Sequence, residues 1–213
     1  MGLIRTATGA LVLGLLLFTA TEAQAAPILI QGNAKACFGA DCTNFADWAS
    51  TTIGGVATLS YFSSSTDFSG TTEDDVLAIN GTAGSFGTLS VGTTAKTLVN
   101  TAFALLLTFA SPDSPAATFE AAIRGSISTN LATGGLIVSF DPSVVTVPFT
   151  NGTNGQSGTM TIYANNVSLS SGGSAALTGF IETETVPEPA TLMLLGVGFT
   201  GLVARRKKLL GQV

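Results

Sequence analysis

The chain of 213 residues contains no histidine, which excludes Ser-His-Asp and Cys-His catalytic arrangements and HExxH zinc sites. Charged residues make up only 10% of it, against roughly 25% in ordinary soluble domains. Between Ala26 and Val186 three cations (Lys35, Lys96 and Arg124) face eleven acidic residues, a formal charge of −8 that argues against nucleic acid or anionic lipid as a partner.

The N-terminus reads as an export signal. Arg5 supplies the charged start, Ala7 to Ala20 supply a short apolar run, and Ala23-Gln24-Ala25 place small residues where signal peptidase reads. Cleavage after Ala25 is expected, with a retained anchor as the alternative. With 1–25 as signal peptide and 186–213 as a separate tail, 26–185 remains as one extracytoplasmic domain large enough for a real core.

That body is rich in Thr, Ser, Val, Phe and Gly, residues that favour pleated strands and tight turns. Cys37 and Cys42 in ACFGADC are the only cysteines, and in an exported chain they are expected to form a disulfide worth roughly 2 kcal/mol. A single helical turn is predicted near Asn44 to Ala49. Trp48, just beyond the small loop, is expected to pack over the disulfide and the sheet edge, with stacking on a sugar as the alternative.

Further along, Val56 to Phe62, Val76 to Ile79 and Phe86 to Val91 read as strands. In AFALLLTFA, Phe103, Leu105, Leu107 and Phe109 alternate; in FEAAIRGSI, Phe119, Ala121, Ile123 and Ile127 share one face while Glu120 and Arg124 share the other. Leu136 to Phe140, Val144 to Phe149, Thr159 to Ala164, Val167 to Leu169 and Ala175 to Ile181 complete the set. Turn signals such as Asn80-Gly81, Asp141-Pro142 and Gly172-Gly173 separate them. About ten strands with little helical periodicity predict an all-β fold, an antiparallel β-sandwich, with a signal helix before it and a transmembrane helix after it.

Glu73, Asp74 and Asp75 lie together in SGTTEDDVLAIN. They read first as a solvated turn, then as an oxygen-rich Ca²⁺ site, and last as hydrolytic carboxylates. No other cofactor is expected. Without histidine, the cysteines lack the further ligands of a zinc site.

The C-terminal block has three parts. Pro187 and Pro189 keep Val186 to Pro189 extended with Glu188 between them. Ala190 to Ala204 carry no charge and include Gly196, Gly198 and Gly201, which membranes tolerate. At roughly 1.5 Å per residue this run spans about 22 Å of a roughly 30 Å hydrocarbon core, and snorkelling cations make up the difference. Arg205, Arg206, Lys207 and Lys208 then act as a stop-transfer cluster that leaves this end in the cytoplasm and the body outside.

In this order of parts the block resembles the PEP-CTERM sorting signal, also labelled the ice-binding protein C-terminal domain. The resemblance implies that an exosortase, a membrane-embedded cysteine protease, recognises Val186-Pro187-Glu188-Pro189, cleaves nearby and passes the body to the cell surface or an extracellular polysaccharide matrix. The body has only Thr159-Met160-Thr161 and Thr183-Glu184-Thr185 as candidate ice-ordering repeats, so the label is read as describing the tail. The expectation is a surface or matrix protein with a structural or adhesive role and no catalysis, handled by signal peptidase and exosortase and tethered transiently to the inner membrane. The alternative is a lectin-like module that holds extracellular polysaccharide through residues such as Trp48 and Tyr61. A carboxylate-based glycoside hydrolase comes third.

Overall fold

The computed structural model describes residues 26–54, 57–63, 68–81, 83–127 and 134–186, together with Gly198. The expected signal segment 1–25, the motif residues Pro187, Glu188 and Pro189, the apolar run except Gly198, and the basic cluster 205–208 lie outside the described residues.

Among the described residues, fourteen strands build three antiparallel sheets, one of them curled as half a barrel. The six-stranded sheet runs β12 (Val167–Ser170), β9 (Gly135–Phe140), β8 (Ala117–Ile127), β7 (Lys96–Ser111), β1 (Leu29–Phe38), β4 (Phe68–Thr71). A four-stranded sheet runs β10 (Val144–Phe149), β11 (Gly158–Ala164), β14 (Gly179–Thr185), β5 (Val76–Ile79). Another runs β13 (Ser174–Ala176), β6 (Thr88–Val91), β3 (Ala57–Phe62), β2 (Trp48–Ile53). The expected all-β antiparallel class is therefore present, in three sheets where ten strands in two layers were anticipated.

The differences have physical causes. The predicted helical turn at Asn44 to Ala49 is extended instead. Ala46 exchanges both backbone hydrogen bonds with Ala36 of β1, each at 3.0 Å, and Trp48 already belongs to β2. Ladder pairing supplies partners that an isolated helical turn would leave to solvent. The single strand expected from Ala175 to Ile181 is split into β13 and β14, which enter different sheets. β1 escapes the alternation search because its inward positions include Gly32, Ala34 and Ala36 rather than large apolar residues. Gly32 must be small: a Cβ there would come within 2.4 Å of the Phe68 ring.

One core joins the sheets. From the six-stranded sheet it takes Ile30, Phe103, Leu105, Leu107, Phe119 and Ile123; the other two contribute Leu59, Tyr61 and Leu89, and Leu77, Met160, Ile162 and Ile181. Phe103 on β7 is the hub, with the rings of Phe38, Tyr61 and Phe140 centred 5.3, 6.0 and 6.4 Å away. Phe140 in turn meets Phe119 edge-on at 6.2 Å. Such pairs contribute about 0.5–1.5 kcal/mol each beyond their burial. Phe103→Ala is expected to destabilise the fold by about 3–5 kcal/mol, read as a lowered denaturation midpoint, whereas Ala102→Ser on the outer side of the same strand leaves that midpoint nearly unchanged.

Candidate functional site

β7 and β8 turn their even-numbered residues outward, and small side chains there open a groove of about 670 Å³ along the six-stranded sheet. Ala102 and Ala122 are register partners in its floor. The Cys37–Cys42 disulfide, with Cα atoms 5.9 Å apart, closes a loop that forms one wall, and Gly39 N–H donates to the Ala102 carbonyl at 3.0 Å. Glu120 and Asp141 stand toward one end, where Asp141 N–H donates to the Glu120 carbonyl at 2.9 Å. Arg124, the register partner of Asn100, stands toward the other, four residues or about 13 Å along the strand. The groove thus offers acceptors and a guanidinium donor in a volume within the roughly 300–1,000 Å³ of small-molecule sites. Sequence reasoning placed Glu120 and Arg124 on a common face, but the wall and Asp141 come from elements that only the tertiary pairing brings there.

Trp48 does not pack over the disulfide. It is 67% exposed, because it occupies an outward position on the edge strand β2. Its register partner on β3 is Phe62, itself 60% exposed, so two large aromatic side chains stand side by side in solvent. Tyr61, the other residue expected on a sugar-binding surface, is fully buried and its hydroxyl donates to the Phe86 carbonyl at 3.1 Å. Strand parity carries the signal that was missed: Leu59 and Tyr61 share the core face, which leaves Ser60 and Phe62 outside. The same outer face continues inward from β2 as register rows Ser50–Ser60–Ser90–Ser174 and Trp48–Phe62–Thr88–Ala176, with Thr52 opposite Thr58.

Glu73, Asp74 and Asp75 form a tight turn. Asp74 and Asp75 both adopt positive φ, 48° and 65°, and Glu73 and Val76 exchange backbone hydrogen bonds at 2.9 Å. The Asp75 carbonyl accepts from the Thr183 amide at 2.8 Å, which docks the turn on β14. A shallow groove of about 310 Å³ lies between Asp74, Asp75, Glu182 and Glu184. Among the described residues no group of three or more Cys, Asp or Glu side chains is arranged to hold a metal ion.

Beside this groove the Tyr163 ring stacks on Phe180, with centroids 4.1 Å apart and planes 13° apart, and its hydroxyl donates to a Glu182 carboxylate oxygen at 3.0 Å. That hydrogen bond, then partial desolvation and the carboxylate charge, raise the phenol above its ordinary value near 10. A raised folded-state value means that the contact supports the fold fully below the unfolded-state value and loses its effect as pH rises through the folded one. Glu182→Gln is expected to lower the Tyr163 titration midpoint, followed by NMR of the ring Cζ between pH 9 and 12.

The tail follows β14. Thr185 is the last residue of β14, paired with Gly158, and the exposed Val186 still donates its N–H to the Ser157 carbonyl at 2.8 Å. No curated protein and no solved structure matches the chain significantly. Residues 185–208 match the family model described as the PEP-CTERM protein-sorting motif, covering the Val-Pro-Glu-Pro run, the apolar stretch and the four cations. The chain therefore carries a PEP-CTERM sorting motif that starts at the end of β14, the mark of an exported protein sorted by an exosortase.

Proposed function

We propose that this protein is an exosortase-processed component of the cell surface or extracellular matrix whose β body has a structural or adhesive role and carries out no catalysis. The observation that carries the reading is the sorting motif at 185–208. It is supported by a histidine-free body that spends its sequence on strands and hydroxyl-bearing faces. Before processing, the basic cluster Arg205 to Lys208 holds the C-terminal end in the cytoplasm and the body outside. The inner membrane is then a temporary partner and the exosortase the enzyme that ends the attachment.

Pro187 and Pro189 are the residues on which recognition turns in this reading, since proline favours the extended backbone that a protease engages. Replacing both by Ala is expected to leave the protein in the membrane fraction at its unprocessed mass, seen by cell fractionation and mass spectrometry. Delivery of the double variant to the surface or medium in the original amount and at the original mass would refute the role assigned to the motif.

A further inference from the structure

We propose that the outer face of the sheet β13–β6–β3–β2 is a binding platform for a neutral polysaccharide chain, anchored by Trp48 and Phe62. This rests on the reading of the protein as a surface or matrix component and names the partner of its body.

Large aromatic side chains exposed at 67% and 60% as direct cross-strand partners are costly to leave in water without a purpose. The surroundings narrow what covers them. The rows that extend across the sheet contain Ser50, Ser60, Ser90 and Ser174 in one line, with Thr52, Thr58 and Thr88 beside it. These rows hold no charged residue. The neighbouring charge, Asp47, faces Lys35 at 4.0 Å.

Each alternative partner fails on a magnitude or a sign. Trp48 and Phe62 together offer at most about 500 Å² of apolar surface, short of the roughly 800 Å² per partner of a stable protein interface; apart from Ala176, the rest of these rows is Ser and Thr. A membrane surface carries anionic lipid, whereas this body has a formal charge of −8 and the platform presents no cation. Polyanions are excluded on the same ground.

A sugar polymer meets both requirements. The C–H face of a pyranose ring stacks on an indole or phenyl ring, with one end of the aromatic group apolar and its surroundings wet. Its hydroxyls exchange hydrogen bonds with Ser and Thr, which both donate and accept. Neighbouring strands lie about 4.8 Å apart and successive outward residues on one strand about 6.8 Å apart, so the hydroxyls form a regular lattice across which an extended chain can lie.

The test uses the full chain in detergent, with insoluble cellulose and soluble mannan as neutral probes and alginate as the anionic one. Retention on cellulose or retardation by mannan is expected, unchanged between low and high salt. Trp48→Ala and Phe62→Ala should each weaken it about tenfold, as for a buried aromatic anchor, and the double variant should abolish it. Both positions are exposed, so the thermal midpoint should not move and loss of fold is separately visible.

Binding to neither neutral glycan would overturn the proposal, as would full binding by the double variant or a salt-sensitive preference for alginate. A change in sedimentation of the double variant would replace it with self-association. The localisation of the Pro187/Pro189 variant is read independently, so failure of the platform and failure of the sorting role are distinguishable.

Discussion

The position of Phe103 is the constraint on which the rest of the body depends. β7 is sixteen residues long and lies between β1 and β8 in the six-stranded sheet. Its inward side carries Phe103, Leu105 and Leu107, each essentially inaccessible to solvent. Phe103 touches Tyr61 from another sheet and Phe38 and Phe140 from strands on either side of β7. A period of two then decides every other side chain on β7 and β8: with the odd-numbered residues committed to the core, Asn100, Ala102, Ala104, Glu120, Ala122 and Arg124 have no place but the outer face. The groove beside the Cys37–Cys42 loop is thus a consequence of core packing, opened because three of those outward residues are alanine.

Close backbone approach is the second constraint, and it is met by omission. Gly125 on β8 sits at φ 142°, and a Cβ there would come within 2.1 Å of the Gly135 carbonyl of β9. Where strands come this close, the sequence shows a glycine rather than an apolar residue, and a search for alternating hydrophobic side chains passes over it. β1 and β4 carry such glycines at Gly32 and Gly70, and β2 shows Ala, Ser and Thr where large core residues would stand, whereas β7 to β11 hold enough Phe, Leu, Ile and Val to be read despite Gly125 and Gly158. Topology was less legible still. The chain visits the six-stranded sheet with β1, leaves for β2 and β3, and returns with β4. It then places β5 and β6 in different sheets. Such assignments rest on which buried faces meet, and local pattern holds no record of that.

The surface residues show the same limit. Trp48 was recognisable as a residue of interest from its type alone, but its direction follows from parity along β2 and its neighbour from register with β3. A displacement of one residue exchanges Tyr61 for Phe62 and moves an aromatic ring from core to solvent. The serine row across four strands joins residues as far apart in sequence as Ser50 and Ser174. Thr-x-Thr spacing within a single strand therefore measured the wrong direction: the hydroxyls line up across strands.

At the C-terminal end, by contrast, sequence order is itself the mechanism, and the fold adds one condition to it. β14 has β11 on one side and β5 on the other, so the strand that precedes the sorting motif is interior to its sheet. Val186 still donates to the ladder; Pro187 has no N–H to donate, and it favours extended geometry in the residue before it. A residue without an N–H cannot extend that ladder as Val186 does, so the Val-Pro-Glu-Pro run starts at the last described ladder contact. Only Pro187, Glu188 and Pro189 separate Val186 from the apolar run at Ala190, which is at most about 10 Å of extended chain. A span inserted from Ala190 would therefore hold the body close to the membrane surface.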